Sequence, residues 1–244
     1  MKKGIILIIT FLVIGVIICG SIYILSSIQK EEPIIEDEHS KLYIPGVSVE
    51  DVILYFNEVA FGAEIINSGD PYKIQKWKAP IYYIIDGKLT EEDSETLLKF
   101  NNWLNTIEGF PGIYETKDIT KANLNIYFCS QVRMLEMMGH EVNNLDGAVT
   151  FWYTDDIINS AVICYRTDLD QYLRNSVILE EIYNGLGLIQ DTSLRKDSII
   201  YAEFSQPQEL TKIDELLLKL LYSEEIKTGM SAKECEEVIR QLYY

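Results

Sequence analysis

The most informative segment of this chain reads Glu180-Glu181-Ile182-Tyr183-Asn184-Gly185-Leu186-Gly187-Leu188-Ile189-Gln190-Asp191. At 100° per residue its apolar side centres on Ile182, Glu180 and Asn184 fall on the opposite side, and Glu181 lies at the flank. The pattern predicts a helix that begins near Asp170 and ends near Leu186, with Gly187 as its C-terminal stop. An ordinary amphipathic helix with its polar side in solvent would show the same pattern, so this alternative stays open.

The remaining sequence predicts an α+β domain with a mixed sheet. Capping-box patterns begin further helices at Ser48, Thr90, Thr211 and Ser231. A short helix fits residues 131–138, and β-rich runs predict strands at 81–86, 112–116, 122–129, 147–153 and 160–166. The order is helix, strand, helix, several strands and three helices, which is typical of the α+β class.

The N-terminal segment has the properties of a membrane anchor. Residues 4–28 carry no charge, and as a helix they would span about 37 Å, more than the ~30 Å hydrocarbon core. Lysines precede the segment and acidic residues follow it, so the N-terminus is expected in the cytoplasm. Because no small-residue cleavage site follows, we predict an uncleaved single-pass signal anchor at 1–28, an acidic stalk at 29–47 and an extracytoplasmic domain at 48–244. A lipid anchor at Cys19 is the alternative.

The net charge of −17 limits the classes of partner. Such a chain repels phosphate backbones, which argues against nucleic-acid binding. It would attract cations or cationic polymers, although a solvated acidic surface explains the charge equally simply.

The cysteines leave two alternatives open. Cys129 and Cys164 each lie on a strand-like apolar run. Outside the cell they could form a disulfide, and as buried residues they could equally remain free thiols. The absence of a CxxC motif or a Cys/His cluster excludes a structural zinc finger.

The late helix resembles the zinc-binding motif HExxHxxGxxH of metzincin peptidases. Glu181 stands at the general base and Gly187 at the turn, whereas the three ligand positions hold Glu180, Asn184 and Gln190. Downstream, the residues Ser198-Ile199-Ile200-Tyr201 resemble the matrixin turn, with Ile200 in the place of its methionine. The resemblance implies a zincin-like fold with an active-site-type helix and C-terminal helices, in which the zinc histidines have been lost.

The chain is also similar to a bacterial family known as domain of unknown function 2927, over residues 48–244. That resemblance rests on Tyr55-Phe56, Ala60-Phe61-Gly62-Ala63-Glu64, Lys76-Trp77, Glu180-Glu181, Leu186-Gly187-Leu188, Asp191, Ser198-Ile199, Asp214-Glu215-Leu216-Leu217, Leu221-Tyr222 and Gly229-Met230-Ser231. It implies a secreted or envelope location, a zincin-like fold with an altered site, and no assigned activity.

Two functions follow as hypotheses. The first is a membrane-anchored pseudo-metallopeptidase that binds a peptide, protein or cell-wall ligand in the former substrate cleft, without cofactor. The alternative is a metal-dependent hydrolase in which Glu181 is the general base. The oxygen ligands available there suit calcium or magnesium better than zinc.

Some of these residues also have structural explanations. Glu181 could pair with a base, for which Arg166, Arg174, Arg195 and Lys196 are the candidates, or accept backbone N–H groups from a facing strand. Asp191 could cap the loop after Gly187. The three tryptophans, Trp77, Trp103 and Trp152, are expected in the core or in a cleft wall.

Overall fold

The structure is a computed structural model that describes residues 42–62, 72–202 and 207–244. The predicted membrane anchor and residues 29–41 of the predicted stalk lie outside the described residues. Within them, every helix is too short or too polar to cross a membrane.

The described residues form six α-helices and a six-stranded sheet. The helices are α1 Val49–Phe61, α2 Glu91–Leu104, α3 Gln131–Met138, α4 Gln171–Gly185, α5 Lys212–Tyr222 and α6 Ala232–Tyr243. The strands are β1 Lys76–Trp77, β2 Ile81–Gly87, β3 Ile113–Glu115, β4 Leu124–Cys129, β5 Gly147–Thr154 and β6 Ile157–Arg166. The predicted helix and strand positions are therefore confirmed, and β1 is a short additional strand.

Local chemistry explains where the helices begin. The side chains of Thr90, Thr211 and Ser231 each accept a hydrogen bond in a capping box, and Ser48 accepts one from the backbone N–H of Asp51. These caps satisfy N–H groups that the first helical turn cannot pair internally.

The sheet is mixed, as predicted, but most of its pairings are parallel. The strands lie in the order β3-β2-β4-β6. Strand β1 pairs with the start of β6, on the same side of β6 as β4. Strand β5 pairs antiparallel with β6 and forms an edge. The connection from β2 through α2 to β3 is a crossover, which is what joins parallel neighbours.

The two faces of the sheet bury different sets of side chains. Along β4, Leu124, Ile126 and Phe128 are buried in the main core, which the helices α1, α2, α4, α5 and α6 also enter. Tyr127 and Cys129 pack on the other face, in a smaller cluster with Met134 of α3. The alternation is the two-residue period of a strand with both faces covered.

The buried acidic helix and the candidate site

Helix α4 begins and ends where the sequence predicts. The side chain of Asp170 accepts a hydrogen bond of 3.1 Å from the Leu173 N–H at its start. After the cap residue Leu186, Gly187 has φ +114°. A Cβ atom there would lie 2.1 Å from the carbonyl oxygen of Gln75, so the turn requires glycine both for its dihedral angle and for space.

The polar side of α4 faces the interior of the protein. Glu181 is 7% exposed and Asn184 is 8% exposed, and Glu180, Gln190 and Asp191 are half-buried. The alternative of an amphipathic helix with its polar side in solvent is therefore wrong. Glu180, Glu181 and Asn184 share one face of α4, whereas the backbone N–H of Gln190 donates to the carbonyl of Val59 in α1.

Burial changes the protonation of both glutamates. Burial, together with the nearby Asp191 and Asp146 carboxylates, raises the pKa of Glu180 to about 8. The pKa of Glu181 lies well above its usual range, first because of burial and then because of Glu180 and Asp191. Burial therefore favours the neutral form of both side chains. In that form Glu181 can donate a hydrogen bond.

Strand β5 packs directly against Glu181. A Cβ atom on Gly147 would lie 2.8 Å from Oε1 of Glu181, so β5 approaches α4 closely only because residue 147 has no side chain. The amide oxygen Oδ1 of Asn184 is buried with no hydrogen-bond partner among the described residues. The helix face thus combines two neutral acids with an unsatisfied amide oxygen.

The bases proposed as partners of Glu181 are engaged elsewhere. Arg166 lies 3.2 Å from Asp146 and 2.9 Å from Asp168. Arg174 forms a buried pair with Asp93 of α2. Arg195 is 2.7 Å from Asp197, and Lys196 is exposed. Each of the three arginines therefore pairs with an aspartate and not with Glu181. The alternative, that Glu181 accepts backbone N–H groups from a facing strand, stays a prediction.

In the three described ranges, no three His, Cys, Asp or Glu side chains converge closely enough to hold a metal ion. Glu180, Glu181 and Asp191 influence one another electrostatically, but they do not form such a group. The calcium or magnesium alternative remains a prediction, and its candidate oxygen donors are Glu180, Glu181, Asn184, Gln190 and Asp191.

A buried hydrogen-bond network holds the segment around Ser198 and Ile200, downstream of α4. The hydroxyls of Tyr55 and Ser198 lie 2.7 and 2.8 Å from Oδ1 of Asp214 and 2.7 Å from each other. Ile200, at the position of the matrixin methionine, is fully buried, and its N–H donates to Ser198 Oγ. The three sequence motifs that contain Tyr55, Ser198 and Asp214 therefore meet in one network, and their role is structural.

The two cysteines on the smaller core cluster are neighbours. Cys164 is fully buried, Cys129 is half-buried, and their thiols form a hydrogen bond with each other. Burial raises the pKa of Cys164 to about 12 and also raises that of Cys129. The structure has both as free thiols; their pairing as a disulfide outside the cell stays a prediction.

The tryptophans occupy three different environments. Trp77 is buried, and its indole N–H donates to the carbonyl of Gly185 at 2.9 Å. Trp103 is half-buried and stacks on Phe100. Trp152 lies on β5 and is 54% exposed, so it is not a core residue, and its place in a cleft wall stays a prediction. The edge strand instead presents Trp152 and the 51% exposed Tyr153 to solvent.

Sequence reasoning missed several residues of the site. The sequence identifies Gly147 only as the first residue of a strand, and no local signal identifies the helix against which a glycine packs. It identifies Lys76 only as part of a motif. Its buried ammonium donates to the carbonyls of Leu221, Ser223 and Ile226, and it thereby holds the C-terminal end of α5.

Fold and site together define a mixed α/β domain built around a central, buried acidic helix. The model of the family described as Protein of unknown function (DUF2927) matches residues 50–241. The chain belongs to this family, as its motifs indicate. No curated protein matches the chain significantly.

Replacing Glu181 with glutamine is expected to make stability less dependent on pH. Below its ordinary pKa of 4.5, Glu181 is protonated in both the folded and the unfolded state. As the pH rises further, the acid ionises in the unfolded chain but not in the folded one, so the wild-type protein loses stability. Glutamine has nearly the same shape as glutamate but does not ionise, so the variant does not lose stability in this way. Thermal melts at pH 4.5 and pH 8 should show similar midpoints at the lower pH and a more stable variant at the higher pH.

The exposed Glu141 supplies the control, since Glu141→Gln should leave the pH dependence of the wild-type protein unchanged. A Glu181→Gln protein that is much less stable than the wild-type protein at pH 8 would show that the carboxylate is ionised and paired in the folded state.

Proposed function

We propose that this protein is a zincin-like, non-catalytic binding module of the bacterial cell envelope, anchored in the membrane by residues 4–28. The domain would lie outside the cytoplasm and bind an extended peptide as an additional strand along β5. The anchor and its orientation rest on the sequence alone. The proposal for the domain rests on the exposed outer edge of β5.

Strand β5 has the features of a sheet edge to which extended peptides bind. It is eight residues long, and in the described part of the chain it pairs with β6 alone. Long unprotected edges are normally blunted by charge or proline. β5 instead carries Phe151, Trp152 and Tyr153. An incoming strand can bond to the free backbone groups, and the aromatic side chains supply contact area.

The register identifies the backbone groups that would bind. The Arg166 N–H donates to the carbonyl of Asp146, and hydrogen-bonded pairs alternate along an antiparallel ladder. The N–H groups of Ala148 and Thr150 therefore face β6, and those of Val149 and Phe151 face the free edge. A bound peptide should protect the latter two amides.

The packing of Glu181 supports a role without catalysis. Its carboxyl group lies against β5 at Gly147 and the residue is only 7% exposed, whereas a metallopeptidase base must reach a water molecule in an open cleft. The zincin-like part of the proposal is supported by three features together: a mixed sheet with one antiparallel edge strand, a central helix beside that strand, and a glycine turn that ends the helix.

The proposal can be tested by panning a random dodecapeptide display library against the full-length chain in a nonionic detergent. Peptides selected on the wild-type protein should bind the Trp152→Ala/Tyr153→Ala variant about tenfold or more weakly, because exposed aromatic anchors dominate such interfaces. Hydrogen exchange should slow at Val149 and Phe151 when a selected peptide is added.

Tyr114→Ala provides a matched control, since Tyr114 is 48% exposed on β3 at the opposite edge of the sheet. Peptides that bind equally well to the β5 variant, with no added protection of Val149 or Phe151, would refute the proposal. Hydrolysis of a selected peptide that Glu181→Gln abolishes would establish the hydrolase alternative instead.

A further inference from the structure

A cavity of about 550 Å³ lies away from β5, between α2, α4 and the segment that leads into α5. Its floor is apolar and consists of Phe100, Trp103, Leu179 and Leu210. The rings of Phe100 and Trp103 stack at 5.9 Å with an angle of 14° between their planes. The volume is in the range of small-molecule sites.

The rim of the cavity is acidic on two opposing sides. Glu92 and Glu95 lie on α2, whereas Glu209 and Glu215 lie on the segment 207–210 and on α5. Among the described residues that line the cavity, Lys99 is the one base. Carboxylates on both sides of an apolar floor complement a ligand that has two separated positive charges joined by an apolar chain.

The existing ion pairs leave room for such a ligand. Lys99 pairs with Glu209 at 2.7 Å, but both side chains are about three-quarters exposed, and exposed pairs contribute little to stability. Glu215 pairs with Lys219 at 3.1 Å. In the described ranges, Glu92 and Glu95 form no ion pair with any base. An incoming ammonium group can therefore neutralise the α2 side and displace Lys99 on the other.

We propose that this cavity binds a linear di- or polyamine, with its methylene chain against the half-buried Trp103 and Leu210 and its ammonium groups at the two acidic rims. Aromatic faces attract ammonium groups as well as methylene groups. A monoamine would satisfy only one rim, and a divalent metal ion would gain nothing from the apolar floor. The site is independent of the proposed β5 edge, and either can fail without the other.

Isothermal titration of the full-length chain in a nonionic detergent tests this assignment, with spermidine, hexylamine and magnesium chloride as probes. Spermidine should bind at one site, and hexylamine should bind about tenfold or more weakly. Trp103→Ala should weaken spermidine binding about tenfold, the order expected for losing a cation–π contact and its apolar area. Glu92→Gln/Glu95→Gln changes exposed residues only and should have a comparable effect.

The control variant Glu141→Gln/Glu237→Gln removes the same number of charges from exposed positions elsewhere, and it should bind spermidine like the wild-type protein. Equal weakening in this control would reduce the effect to general attraction by an acidic protein and overturn the proposal. So would the absence of spermidine binding at millimolar concentration, or competition by equimolar magnesium. A trilysine peptide that binds at least tenfold more tightly than spermidine would overturn the assignment to a free polyamine.

Discussion

Replacing Lys76 with methionine is expected to destabilise the domain by about 3–5 kcal/mol, because buried carbonyl groups would lose their donor. The ammonium group of Lys76 lies 2.7, 3.3 and 2.5 Å from the carbonyl oxygens of Leu221, Ser223 and Ile226. It also lies 5.7 Å from the centre of the Tyr222 ring. Burial lowers the pKa of Lys76 to about 8, so it retains its proton at neutral pH. Urea denaturation at pH 7 would measure the loss.

The neighbouring Lys78 is exposed and provides the matched control. Lys78→Met removes the same charge and leaves the same aliphatic stem, and its effect should stay within about 0.5 kcal/mol. Similar losses for the two variants would mean that Lys76 acts only through the net charge of the protein and not through the end of α5.

Replacing Gly187 with alanine is expected to have the largest effect of all the substitutions considered, a loss of more than about 4 kcal/mol or a failure to fold. The residue has φ +114°, and its added Cβ atom would lie 2.1 Å from the Gln75 carbonyl oxygen. That oxygen belongs to the backbone immediately before β1, so it cannot move as a flexible side chain would. The yield of folded protein and the unfolding midpoint would measure the effect.

Gly46 allows the two contributions to be separated. Its φ is +83°, but an added Cβ atom would meet nothing within 4 Å. Gly46→Ala should therefore cost only the strain of a left-handed alanine, about 1–2 kcal/mol. If Gly187→Ala cost no more than Gly46→Ala, the close approach of the Gln75 carbonyl would have no energetic importance.

The secondary structure could be predicted because its determinants are local. Ser48, Thr90, Thr211 and Ser231 identify helix starts through their own hydrogen bonds, and a two-residue period identifies strands. Gly187 could be predicted as a turn because it ends an apolar helical pattern. The parallel order of the sheet could not be predicted, since pairing depends on which strands meet after crossovers.

The environment of the site was harder to predict. Helical spacing places Glu180, Glu181 and Asn184 on one face, but it cannot reveal that β5 covers that face through Gly147. The same limitation explains why the sequence could not decide between the core and a cleft wall for Trp152, which lies on the edge strand β5. Spacing describes the face of an element, whereas burial depends on its neighbours, which are distant in sequence.

The last helix returns to the beginning of the described domain, where the Tyr243 hydroxyl contacts the backbone of Ile44 and Val47. Glu50 and Arg240 pair across the same junction, and Tyr55 reaches Asp214. Helix α1 therefore acquires the last of its partners only after the polypeptide has been synthesised through α6. A ribosome that stops a dozen residues short would release a chain whose first helix lacks the contacts that close the domain.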